Sequence, residues 1–274
     1  MKIGCHVSIA GGVFNAPERA HDFGCEVMQI FSRSPQGGKS PELTPKSIQE
    51  FQISNLKFKI KETYIHAPYY INFASNNVRI REGSVAAIRE ELERAKKLGA
   101  KYVMTHLGSS RDLGEIKGIA QTILMLKKTL ENYNGSAKLL LENSAGAGAI
   151  IGDDLEELSY IIQSVNSTAI DGICLDTQHS FASGYDWTDF EKTIARIDGE
   201  IGIDNIKLIH ANDSLTECGS NKDRHAHIGK GLIGQKAFKK IVAFAKENKI
   251  DMILETEHDE VMEDIRILKE MRGK

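Results

Sequence analysis

The chain has 274 residues, of which 41% are hydrophobic and 27% are charged, a composition typical of globular proteins and not of disordered or fibrous ones. No apolar stretch approaches the ~20 residues that a membrane-spanning helix needs, so we expect no membrane association. The net charge of −3 and the pI near 6.3 argue against broad nucleic-acid binding through a basic surface, although a local basic patch stays compatible with them.

The chain opens on a strand-like segment at residues 2–6, without a signal-peptide pattern, and a second strand is expected at residues 26–31. Its four cysteines are scattered and form no CxxC pair. We therefore expect reduced thiols in a cytoplasmic protein.

Six further apolar runs each end on a residue type that binds metals. They end at His66, His106, Glu142, Asp176, His210 and Glu255. Consecutive ends are 34 to 45 residues apart, enough for one helix and two loops. Together with the first two strands they predict an α/β fold, a TIM (β/α)8 barrel spanning residues 1–274 as one domain. Since the carboxyl ends of barrel strands share one face, these side chains should converge there and bind cations.

Helix signals lie between the strands. Thr44-Pro45 predicts a helix start, and Gly99 predicts the end of an apolar stripe. Asp153 and Glu156 predict a capping box for another helix. The last two helices are expected at residues 233–248 and 261–271.

Two polar constellations add candidate ligands. Asp176 and His179 lie just past the sixth strand, where both could bind one metal or each a different one. A helix-capping aspartate beside a solvent-facing histidine is the alternative. Asp223 and His225 follow the seventh strand at i, i+2, so in extended backbone they point the same way and can chelate one cation. A polar surface turn would also explain that pair.

Two carboxylates, Glu142 and Glu255, end fully apolar runs. Burying a carboxylate without a partner is costly, so each must meet a cation or a salt-bridge partner. The presence of three histidines at the same predicted rim favours cations. His6, at the end of the first strand, is either a residue that supports the ligands or a satisfied core histidine.

Adjacent tyrosines, Tyr69 and Tyr70, follow His66 on the third βα loop. Aromatic side chains at the mouth of a site can stack on bases or wedge between them. Packing of the loop onto the barrel is the alternative for both.

Several stretches occur in one order along the chain. They are GCHVS at 4–8, HAPY at 66–69, HLGS at 106–109, LENSAG at 141–146, LDTQHSFASGYD at 175–186, HANDS at 210–214 and DRH at 223–225. Together they resemble the endonuclease IV family of apurinic/apyrimidinic DNA-repair endonucleases. The resemblance runs from residue 2 to about residue 256, and the stretch at 175–186 is its most specific part.

The resemblance implies a trinuclear zinc site on a TIM barrel, with manganese or iron as substitutes at some positions. The first zinc would be held by His66, His106 and Glu142. The second would share Glu142 and add Asp176, His210 and Glu255. The third would be held by His179, Asp223 and His225. A monomer would cut duplex DNA on the 5′ side of abasic sites, leaving a 3′-hydroxyl and a 5′-deoxyribose phosphate, with Glu142 as the catalytic residue that orients the attacking water.

The chain departs from the family pattern at its DNA-facing loop. Residues 34–38 read SPQGG, where the family has Asn-Pro-Arg followed by Trp. Gln178 replaces a usual cysteine, and Glu257 stands where proline is common. The residues expected to contact DNA are Arg33, Gln36, Tyr69, Tyr70 and Arg224.

Two other functions fit part of the pattern. Sugar isomerases and epimerases share the barrel and a metal held by Glu, Asp and His, but they leave Asp223 and His225 without a purpose. A non-catalytic, metal-dependent DNA-binding protein gives no reason for a bridging carboxylate at Glu142.

Overall fold

The computed structural model describes residues 1–273, and within them eight parallel strands close a barrel. These strands are β1 (Ile3–His6), β2 (Val27–Phe31), β3 (Thr63–His66), β4 (Tyr102–Thr105), β5 (Lys138–Glu142), β6 (Ile170–Asp176), β7 (Ile206–His210) and β10 (Asp251–Leu254). A hairpin of β8 (Asp213–Ser214) and β9 (His225–Ala226) lies outside the barrel. Around the barrel each strand neighbours those next to it in sequence, with β10 closing onto β1. The predicted TIM barrel is confirmed.

Helices fill the intervals between the strands. They are α1 (Ala16–Asp22), α2 (Pro45–Phe58), α3 (Val78–Leu98), α4 (Glu115–Leu130), α5 (Leu155–Val165), α6 (Thr177–Ala182), α7 (Phe190–Glu200), α8 (Gly234–Glu247) and α9 (Val261–Arg272). None of those within residues 1–273 is both long and apolar enough to cross a membrane.

The helix ends follow their capping residues, with one correction. The Thr44 hydroxyl accepts a hydrogen bond from the Ser47 amide, and Gly99 ends α3 in the left-handed conformation. The predicted cap at Asp153 is wrong by one residue. Asp154 directly precedes α5 with extended backbone, and its carboxylate accepts from the Glu156 amide at 2.8 Å.

Strand alternation divides the core into an outer layer under the helices and an inner layer within the barrel. The inner layer is formed by Val27, Tyr64, Tyr102, Met104, Leu140, Cys174, Leu208 and Ile253. Six candidate ligands lie two residues beyond a member of this layer, so they also point inward. The pairs are Tyr64 and His66, Met104 and His106, Leu140 and Glu142, Cys174 and Asp176, Leu208 and His210, and Ile253 and Glu255. The apolar layer thus forms the floor of a polar site at the carboxyl rim.

Candidate metal centre

The structure brings all nine predicted metal ligands together at the carboxyl rim. Six lie at or just beyond strand ends: His66, His106, Glu142, Asp176, His210 and Glu255. The other three come from connecting segments. His179 lies in α6, Asp223 in the loop between β8 and β9, and His225 in β9.

The ligand atoms form three overlapping groups, and within each group they lie within 4.8 Å of one another. The groups are His66, His106 and Glu142; Glu142, Asp176, His210 and Glu255; and Asp176, His179 and His225. Asp223 adjoins the last group, with its carboxylate 3.5 Å from His179 Nε2 and 3.4 Å from His225 Nε2. The expected assignment gave Asp176 to the second group alone, whereas here its carboxylate lies within reach of two groups.

Glu142 lies at the centre of the cluster and is completely buried. Its Oε2 atom lies 3.0 Å from His66 Nε2 and 3.6 Å from His106 Nε2. Its Oε1 atom lies 2.8 Å from His210 Nδ1. The two oxygens therefore face different histidines, an arrangement that suits a carboxylate shared between two cations.

The carboxylates and histidines of the cluster shift one another's pKa values. Burial raises the pKa of Glu142, but the neighbouring histidines hold it well below the usual glutamate range. Burial likewise opposes ionisation of Glu255, yet His210 brings its pKa down to about 2. Burial lowers the pKa of His179, whereas the Asp176 carboxylate and its neighbours raise it to a net value of about 10. Carboxylates and histidines thus hold each other in charged forms, a role that bound cations would take over.

An unpartnered nitrogen supports a fit to metal ions. Within the described residues 1–273, the buried His225 Nε2, which faces the carboxylates of Asp176 and Asp223, has no hydrogen-bond partner. A buried polar atom without a partner costs free energy, and coordination would remove that cost. Imidazole nitrogens and carboxylate oxygens are also the donor set that zinc accepts.

Two buried asparagines that the sequence analysis missed hold the ligands in place. The Asn212 side chain donates to Asp176 Oδ2 at 2.7 Å and accepts from the Glu255 amide at 2.9 Å. Asn143 accepts from the Asp176 amide at 2.6 Å, and its backbone carbonyl accepts from His179 Nδ1 at 3.0 Å. Such outer partners fix the orientation of metal ligands. Their sequence signal is adjacency: each lies one or two residues after a ligand.

A cavity of about 430 Å³ opens over the cluster, and six of the nine candidate ligands line it. His6, Phe31 and Tyr69 line it as well, so His6 belongs to the site without joining a ligand group. Tyr69 is 66% exposed and its ring packs against Phe31 and His66, with centroid distances of 5.2 and 5.9 Å. Tyr70 beside it is 39% exposed.

Arg33 is not available to DNA in the way that the sequence suggested. Its side chain is only 8% exposed because it pairs with Glu90 and Glu91 of α3. Its Nη1 atom donates to the Tyr70 hydroxyl at 3.2 Å. The expected phosphate contact therefore gives way to a supporting role beneath Tyr70. Gln36 and Arg224, by contrast, are exposed.

Replacing His225 with alanine should remove one metal ion without unfolding the chain. His225 lies in the short hairpin outside the barrel. We expect the melting temperature to fall by less than about 4 °C, the shift that about 1 kcal/mol gives in a chain of this size. Calorimetry and metal analysis of His225→Ala measure both quantities, with the exposed His21→Ala of α1 as the control. Loss of the folded state in His225→Ala would show that this part of the cluster is structural.

Comparisons with known proteins agree with the fold. Residues 17–271 match the family described as xylose isomerase-like TIM barrel. A protein named probable endonuclease 4 from Cenarchaeum symbiosum is 36% identical over 278 residues, covering 100% of this chain and 99% of the relative. Another of that name from Natranaerobius thermophilus is 39% identical over 259 residues, covering 93% and 91%.

Solved structures of other proteins share this fold. Endonuclease IV from Thermus thermophilus matches with a TM-score of 0.88 and 30% identity, covering 99% of this chain and 98% of that one. A D-tagatose 3-epimerase-like protein matches with a TM-score of 0.75, covering 99% and 97%. Its identity is 24%, so this second likeness concerns the fold alone.

Proposed function

The chain belongs to the endonuclease IV family, and on that premise we propose that it uses three zinc ions to hydrolyse the phosphodiester on the 5′ side of abasic sites in duplex DNA. The products would be a 3′-hydroxyl and a 5′-deoxyribose phosphate. Manganese or iron could replace zinc at some positions.

The observation that carries the proposal is the position of Glu142 between two ligand groups. Its two oxygens face different histidines, and a third group adjoins them around His179 and His225. Paired cations clamp the attacking and leaving oxygens of a phosphodiester. One or two metals with a proton-abstracting acid, as in a sugar isomerase or epimerase, would leave this third group without a purpose.

The side chains of this site would orient the attacking water, accept its proton and hold the metal ligands in place. When bound, the zinc ions would make water acidic enough to act as a nucleophile near neutral pH and would neutralise the phosphate. Glu142 would orient the attacking water and accept its proton, because it is completely buried at the centre of the cluster and its two oxygens face two ligand groups. Asn212, which holds Asp176 and the Glu255 backbone, would keep the ligands from shifting as charge develops.

Selection of the lesion would depend on shape. A nucleotide without a base leaves the helical stack at low cost. The cavity of about 430 Å³ over the cluster would receive it, with Tyr69 at its edge and Tyr70 beside Tyr69. Arg224 is exposed next to the ligand Asp223, where it can contact phosphates, which position a protein without reading sequence.

Every candidate ligand comes from one chain, so a monomer would hold a complete site. We propose that it acts as a monomer in the cytoplasm and that residues 1–274 make up one domain.

The loop at residues 34–38 should make this chain bind DNA more weakly than relatives that carry an arginine and an aromatic residue there. The substitution Gln36→Arg should therefore strengthen binding. Gln36 is exposed and carries no charge, and two glycines after it add flexibility that must be lost on binding. An arginine there would gain one phosphate contact and lower KM for abasic duplex by up to about tenfold. In a salt series, the slope of log KM against log salt concentration should also become steeper by about one unit. The control is Gln163→Arg on the exposed face of α5. Equal KM values for Gln36→Arg and the unchanged chain would contradict the idea.

Incision of end-labelled duplexes tests the proposed function. One duplex carries a single abasic-site analogue, and its matched partner carries an ordinary nucleotide at that position. We expect one cut, immediately 5′ to the analogue and in the first duplex only, with a product that a DNA polymerase can extend because it ends in a 3′-hydroxyl. Equal cutting of both duplexes, no cutting, or a cut on the 3′ side would overturn the proposal.

A further inference from the structure

A single polar residue interrupts the apolar second strand. Val27, Gln29 and Phe31 are every second residue of β2, so their side chains all point into the barrel. Val27 belongs to the apolar inner layer, and Phe31 lines the cavity. Gln29 lies between these levels and is completely buried. An amide buried at that depth must satisfy its hydrogen bonds within the barrel.

The Gln29 amide contacts two candidate metal ligands and His6. Its nitrogen donates to Glu255 Oε1 at 2.6 Å and to His6 Nδ1 at 3.1 Å. Its oxygen accepts from His210 Nε2 at 2.8 Å. Both amide hydrogens and the carbonyl are used, so the side chain has one favourable orientation.

These contacts select which ligand atoms face the cluster. Because His210 Nε2 donates to the amide, Nδ1 is the ring nitrogen left to coordinate, and it lies 2.8 Å from Glu142 Oε1 and 3.2 Å from Glu255 Oε2. Because the amide holds Glu255 Oε1, the other oxygen of that carboxylate faces the same point. One side chain therefore orients two members of the second ligand group.

The contact with His6 resolves its role. His6 accepts from the amide through Nδ1, and its ring packs on Phe31 with a centroid distance of 4.3 Å. Its backbone carbonyl accepts from His258 Nε2 at 2.9 Å. His6 thus contacts the same amide nitrogen that donates to Glu255 and supports Gln29.

We propose that Gln29 is a positioning residue for the cation held by Glu142, Asp176, His210 and Glu255, a role that rests on the proposed function. Without its amide, His210 could present either ring nitrogen and Glu255 could rotate. Partners of this kind typically change metal affinity or activity by about 10- to 100-fold.

Zinc release from the loaded protein tests this role without DNA. Gln29→Met keeps the side-chain volume and removes all three hydrogen bonds, and Gln163→Met on α5 is the matched control. We expect Gln29→Met to release one zinc per chain about 10- to 100-fold faster to a chromophoric chelator, with the others as slow as in the unchanged chain. Three unchanged release rates, or release of all zinc together with a lower melting temperature, would overturn the proposal.

A second variant keeps the test decisive if Gln29→Met does not fold. Gln29→Glu has the same shape and can accept from His210, but when ionised it cannot donate to Glu255 and it adds negative charge beside that carboxylate. It should also release one zinc selectively, and retention of all three at the normal rate would contradict the role of Gln29.

A double-mutant cycle identifies the zinc. The effect of Gln29→Met should largely vanish in a Glu255→Ala background and persist in a His225→Ala background. The opposite pattern would contradict the assignment to the second ligand group. These readouts need no incision, so failure of the chain to cut abasic DNA would be distinguishable from failure of this inference.

Discussion

Glu142→Gln should lower kcat for incision of an abasic duplex by about a thousandfold, equivalent to about 4 kcal/mol of transition-state stabilisation. Glutamine keeps the shape of the side chain but replaces one oxygen with an NH2 group that cannot coordinate, and it removes the central negative charge. Both oxygens of Glu142 are in use, since Oε2 faces His66 and His106 while Oε1 faces His210. Single-turnover kinetics with excess enzyme measure the loss directly.

Substrate binding should survive the same change, because the cavity and its exposed tyrosines remain. A Kd for abasic duplex within about threefold of the unchanged chain is expected. Glu157→Gln is the matched control: this carboxylate on α5 accepts from the Gly152 amide outside the cluster and should leave kcat unchanged. If Glu142→Gln retained near-normal kcat, Glu142 would neither bridge two cations nor act on water.

Tyr69→Ala should raise KM for abasic duplex by about ten- to a hundredfold, because stacking of one aromatic ring on a base is worth about 1–3 kcal/mol. Tyr69 is 66% exposed at the edge of the cavity, so its ring is available to DNA. Its backbone amide donates to the Pro35 carbonyl at 3.2 Å, which fixes the loop that presents the ring. KM for duplex and kcat/KM for bis-p-nitrophenyl phosphate, which needs no DNA bending, are the quantities to compare.

Hydrolysis of the small phosphodiester should not change in Tyr69→Ala, and neither activity should change in the control Tyr160→Ala on α5. If Tyr69→Ala cut duplex normally, another element would hold the lesion. If both substrates were lost together, the contact between Tyr69 and His66 would support the ligand cluster, and stacking on DNA would be the wrong explanation.

The barrel and its ligand rim could be predicted because apolar runs recur along the chain and each ends on a residue type that binds metals. Apolar runs such as Leu139–Leu141 mark a buried strand, and the carboxylate that follows, Glu142, cannot be buried without a partner. Parallel strands in one barrel then bring such ends together. The exact boundary of α5 does not follow from the sequence in this way: Asp154 caps the helix instead of the predicted Asp153, because adjacent aspartates offer the same capping chemistry.

Contacts between distant segments could not be predicted in this way. Arg33 looked like a loop cation, but its partners Glu90 and Glu91 lie nearly sixty residues later, on α3. Gln29 gave a clearer signal, since it is a lone amide in an apolar strand, yet its contacts with His210 and Glu255 depend on β2 and β10 lying on either side of β1 in the closed barrel.

Zinc titration of the metal-stripped protein, followed by incision of an abasic duplex, tests the central claim most directly. The nine ligand residues should take up three zinc ions per chain, and incision should rise with zinc content and reach its maximum at three. Full incision by the metal-free protein, or saturation at one zinc per chain, would contradict a trinuclear centre built on Glu142.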